Sequence, residues 1–79
     1  MTKGEYRVGV DFNPSGDEQI HTVKVTTANL IDALQPLVDL GDEAGRCAAI
    51  AQTKFEEAAM WAVKAITKPS RHIQEEQDG

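Results

Sequence analysis

Residues 42–69, DEAGRCAAIAQTKFEEAAMWAVKAITKP, carry the pattern that decides the fold of this 79-residue chain. Cys47, Ile50, Ala51, Lys54, Phe55, Ala58, Ala62 and Ile66 recur at helical spacing, with Trp61 and Ala65 beside them. That periodicity predicts one long amphipathic helix from about Asp42 to Thr67. Asp42 and Glu43 suit the positive end of its dipole, Lys64 and Lys68 suit the other end, and Pro69 stops it. The alanines from Ala44 to Ala65 raise intrinsic helicity and let a second helix approach closely.

Working backwards, Ile20, Val23, Thr27, Leu30, Leu34 and Leu37 form a second stripe, widened by Ile31 and Val38. His21, Thr22, Asn29, Asp32 and Gln35 fall on the opposite side. Asn13-Pro14-Ser15-Gly16 is a turn cluster, and Ser15 followed by Glu18 has capping-box spacing, so this helix is expected to start near Gly16. Pro36 should kink it, or stop it and restart a short turn ending near Leu40-Gly41. Val25, Thr26 and Thr27 are weak helix formers, so packing must hold that stretch. Upstream, Tyr6, Val8, Val10 and Phe12 alternate with Glu5, Arg7, Gly9 and Asp11, which reads as an extended segment of period two.

The expected architecture is mainly α: an N-terminal extended arm and turn over residues 1–15, an antiparallel helical hairpin over 16–69 forming an oligomeric bundle, and a flexible acidic tail over 70–79. A chain this short buries a modest share of its surface alone, which favours self-association.

Thirteen acidic against eight basic residues give a net charge of −5, a poor balance for gripping duplex nucleic acid. No apolar run is long enough to span a bilayer, and the charged start is unlike a secretory leader. The single cysteine, Cys47, reads as a small buried hydrophobe and suits a reducing cytoplasm. No catalytic, metal or cofactor pattern emerges. His21 lacks ligand spacing, adjacent Glu56 and Glu57 diverge around a helix, Ser15, Ser70 and Cys47 lack an activating context, and the glycines form no phosphate-binding motif. A binding role is therefore expected rather than an enzyme. Lys24, Arg46, Lys64, Lys68 and Arg71 could serve an anionic ligand held between chains.

Residues 46–69, together with Phe12-Asn-Pro-Ser-Gly16 and Ile20-His-Thr-Val-Lys24, resemble the small hairpin domain shared by phage anti-CBASS cyclic-nucleotide sponges and part of the anti-Thoeris sponges. The resemblance covers about Tyr6 to Pro69 and implies a hexamer that sequesters cyclic dinucleotide or trinucleotide signals in the host cytoplasm without cleaving them. It places Phe12 where the family has a base-stacking aromatic and Lys24 where a lysine contacts phosphate, with Thr26 and Thr27 as polar neighbours. The better-known anti-CBASS pattern has tyrosine at the aromatic position, so Phe12 keeps the stacking face without the hydroxyl. A helical adaptor for a host protein, using Phe55, Met60 or Trp61 as its apolar surface, is the alternative.

Self-association gives the first prediction. Light scattering at micromolar concentration should report a mass several times the 8.6 kDa of one chain; a monomer across the whole concentration series would refute it.

Overall fold

A computed structural model describes residues 1–68 as three helices: α1, Lys3–Val8; α2, Glu18–Val38; and α3, Glu43–Thr67. The expected stop at Pro69, the tail over 70–79, and Ser70, Arg71 and His72 within it lie outside the described residues. No strand occurs among the described residues.

The long helix has nearly the expected bounds. Asp42 caps α3 by accepting from the Gly45 N–H at 2.9 Å, which satisfies one amide that the first turn leaves without a helical partner. It runs antiparallel to α2: Gly45 lies against the carbonyls of Leu37 and Val38, Gln52 reaches Ile31 and Gln35, and Val63 and Thr67 face Ile20. The hairpin is thus confirmed, and α2 carries Pro36 within its last turn rather than stopping there. Asp17, not Ser15, caps α2. Its carboxylate accepts from Gln19 and Ile20, because it stands immediately before the first helical residue where Ser15 is two positions too early.

The extended arm is corrected to a helix. Thr2 accepts from the Glu5 N–H at 3.0 Å while the Glu5 carboxylate accepts from the Thr2 N–H at 2.7 Å, a complete capping box. Gly9 ends α1 in the left-handed region, φ 65°, which glycine adopts without a Cβ penalty. Tertiary contacts then hold a helix too short to persist alone. The Gly4 N–H donates to the Asp32 carboxylate at 2.7 Å, and a Cβ at Gly4 would stand 2.2 Å from the Ala28 carbonyl oxygen. Only a residue without a side chain lets α1 lie this close on α2.

The packed faces also differ from the apolar stripes. On α3, Gly45, Ala48, Gln52 and Ala59 are buried. That face is offset by one residue, about 100°, from the one containing Cys47, Ala51 and Ala58. Cys47, expected inside, is exposed. On α2 the buried positions are Ile20, Lys24, Ala28 and Ile31, whereas Leu30 and Leu37 are each 43% exposed. Close approach explains the rotation: small residues and a hydrogen-bonding Gln52 sit at the crossing with Ile20 and Ile31, and several bulky apolar side chains are turned outward. Met60 at 65% and Trp61 at 60% exposure are the largest of them on α3.

Gly4→Ala should destabilise the protein by about 1 to 3 kcal/mol, the usual penalty for overpacking, and should undock α1. Urea unfolding followed by helical circular dichroism measures this; an unchanged midpoint would show that the α1–α2 approach is not tight.

Candidate functional site

The segment between α1 and α2 is closed at both ends by its own polar groups. After Gly9, the Phe12 N–H returns to the Gly9 carbonyl at 2.9 Å, making a tight turn. Asn13 fastens the other side: its side-chain amide donates to the Asp17 carbonyl at 2.8 Å, and its Oδ1 accepts from the Asp17 N–H and the Ser15 hydroxyl, both at 3.3 Å. Phe12 is held out between these two anchors and is 74% exposed.

Lys24 reaches this turn from α2. It is only 7% exposed, and its Nζ donates to the Gly9 carbonyl at 3.0 Å and to the Phe12 carbonyl. The same Nζ stands 5.5 Å from the centroid of the Phe12 ring, within range of a cation–π interaction. The structure thus brings together the two residues at the centre of the ligand-site expectation. Thr26 and Thr27 do not join them. Thr26 is exposed elsewhere on α2, and the Thr27 hydroxyl donates to the Val23 carbonyl at 2.7 Å.

Lys24 divides two clefts. The one under Phe12, about 220 Å³, is mostly apolar, with Pro14, Ile20 and Val63 as walls and Asn13, Ser15 and Thr67 at its polar edge. The other, about 230 Å³, lies between α1 and α3 and is lined by Arg7, Val8, Glu56, Ala59, Met60 and Val63. Each is too small to enclose a dinucleotide, but a flat base fits the scale of the first.

Arg7 is the important residue that the sequence pattern did not single out. Its Nε donates to Glu56 at 2.7 Å, Nη1 to the Gln52 side-chain oxygen at 3.2 Å, and Nη2 to the Thr53 hydroxyl at 3.5 Å. Gln52 in turn donates to the Ile31 carbonyl at 2.9 Å and to Gln35 at 3.1 Å. One chain of hydrogen bonds therefore connects all three helices. The available signal was the Thr2–Glu5 capping spacing, which makes 3–8 helical and puts Arg7 one turn beyond Gly4.

Arg46 and Lys64 each find a partner of their own on α3. Arg46 pairs with Glu43 at 2.6 Å, at the end of α3 away from Phe12. That bond holds the Glu43 carboxyl below its usual range and pushes the Arg46 guanidinium up, but both groups face solvent, where screening leaves such a pair little weight. The Lys64 Nζ lies 4.9 Å from the Trp61 ring centroid. His21 is exposed, and no group of three potential metal ligands occurs among the described residues. None of the described helices is long and apolar enough to cross a membrane.

A family model described as "Acb2/Tad1, hairpin domain" matches residues 4–67, a range that takes in all but the first residue of α1, the Phe12 turn and both long helices. No curated protein and no solved structure shows significant similarity to the chain.

Proposed function

This chain belongs to the Acb2/Tad1 hairpin-domain family, and from that premise we propose that it is a phage anti-defence sponge. It binds cyclic oligonucleotide immune signals and sequesters them intact in the host cytoplasm. Cyclic dinucleotides are the main ligands, with cyclic trinucleotides as a second class. The observation that carries this reading is the exposed Phe12 ring beside the Lys24 ammonium, at the mouth of an apolar cleft.

A cyclic dinucleotide presents two flat bases and two phosphodiester charges. Phe12 offers a face for stacking, which is worth about 1 to 3 kcal/mol per base, and the cleft walls Pro14, Ile20 and Val63 exclude water from the base's other side. Retention without turnover suits the polar edge of that cleft. Asn13 and Ser15 are engaged in the turn, the Thr67 hydroxyl donates to the Val63 carbonyl at 2.9 Å, and Lys24 is held by two carbonyls. None of these groups is placed as a general base with a free proton acceptor directed at the cleft.

One chain offers half of such a site. A second copy related by two-fold symmetry supplies the same ring and ammonium to the other half of the ligand, so that an acidic chain meets a dianion with two cations. The outward apolar side chains Leu40, Ile50, Met60 and Trp61 support assembly, in the family manner as a homohexamer, because a monomer leaves them in water.

Incubation with a panel of cyclic dinucleotides and trinucleotides, followed by mass spectrometry of bound and free fractions, tests the proposal. Intact ligand should be recovered from the denatured complex, and Phe12→Ala should weaken binding by about 1 to 3 kcal/mol per stacked base while the assembly keeps its mass. Recovery of cleaved ligand would indicate an enzyme. An absence of retention beside specific capture of a host protein would favour the adaptor instead.

A further inference from the structure

We infer that Lys24, beside the charge it brings to the ligand, is a positioning residue, which orders the Gly9–Phe12 turn through its backbone carbonyls and thereby presents the Phe12 ring. The consequence for ligand affinity rests on the sponge reading above, but the ordering of the turn does not.

An ammonium has three N–H donors. Two of those on Lys24 are committed, to Gly9 and to Phe12, in the ligand-free protein, and the residue is 7% exposed. At most one hydrogen remains for a phosphate, and it points from a nearly closed position. A lysine that serves as a free point charge needs the opposite arrangement, with a mobile and solvated end.

Phe12 has the complementary need. With 74% of its surface exposed, its ring has almost no packing to fix it, so its position is set by the backbone that carries it. Within the turn, that backbone has one local hydrogen bond of its own, from the Phe12 N–H to the Gly9 carbonyl. Lys24 adds a bond to each of the two carbonyls at the ends of the turn and ties both to the middle of α2. Holding the ring where a base will stack removes an ordering penalty from the binding step, which is how a buried residue raises affinity without touching much ligand.

The test begins with the ligand-free protein, using amide hydrogen exchange resolved by residue. In Lys24→Met, the Phe12 amide should exchange at least about tenfold faster, as loss of charge-assisted bonds implies, while the Ile31 amide in the α2–α3 core is unchanged. If Ile31 also exchanges faster, the same readings are taken from Lys24→Gln, which keeps a polar end in the pocket. The second arm is a double-mutant cycle by calorimetry, with whichever of 3′,3′-cyclic di-AMP, di-GMP and GMP–AMP the wild type binds most tightly. Lys24→Met should weaken binding at least about tenfold when Phe12 is present, and by a factor at least about threefold smaller in a Phe12→Ala background, because the ordered turn then has no ring to present. An unchanged Phe12 exchange rate, or an equal loss of affinity with and without the ring, would overturn the inference. If the wild type binds none of the three ligands, the sponge proposal loses its dinucleotide basis and the exchange measurement alone decides the role of Lys24.

Discussion

Burying an ammonium removes hydration that only close oxygen partners can replace, and Lys24 finds those partners in the carbonyls of Gly9 and Phe12. That requirement organises the N-terminal third of the protein. It draws the end of α1 onto α2, fixes the turn, and sets the Phe12 ring at the edge of a cleft whose far wall is α3. The same principle holds through the rest of the molecule. Arg7 and Gln52 satisfy one another across the three helices, and no buried side-chain nitrogen or oxygen among the described residues lacks a hydrogen-bond partner.

Polar joints matter here because the apolar core is slight. Ile20, Ala28, Ile31, Ala48 and Ala59 are the buried hydrophobic residues among those described, and three of the five are alanines. Such a core lets helices approach closely but removes little apolar area from water. Leu40, Met60 and Trp61 are each 60% exposed or more, so apolar area that one chain leaves in water is there for a second chain to cover. Under the proposed sponge function, association and ligand capture are linked, since a symmetric ligand needs the Phe12 corner twice.

The long helix was readable because its apolar period runs for more than six turns between charges suited to its two ends, and its start was placed within one residue, at Asp42 against Glu43. The pairing of Phe12 with Lys24 was readable only through resemblance, since their separation in sequence says nothing of a turn folding back onto α2. The N-terminal segment was misread because residues 5–12 satisfy a period of two, and six helical residues are too few for a period of 3.6 to compete. The deciding facts were the reciprocal Thr2–Glu5 cap and the fit of Gly4 against Ala28. The buried faces were misjudged for another reason. Periodicity locates an apolar stripe but not the partner it meets, and here α1 and close-packing small residues occupy the crossing while part of each stripe remains outside. Cys47 and Leu37 are exposed for that reason, and Lys24, polar and central, is inside.

Whether the Phe12 corner is the ligand site is settled most directly by a crystal structure of the assembled protein with a bound cyclic dinucleotide. The expected result is a base stacked on Phe12, the two halves of the ligand contacted by equivalent residues of two copies, and Lys24 still bonded to the Gly9 carbonyl. A ligand bound away from Phe12, or seated there in a single isolated chain, would contradict it.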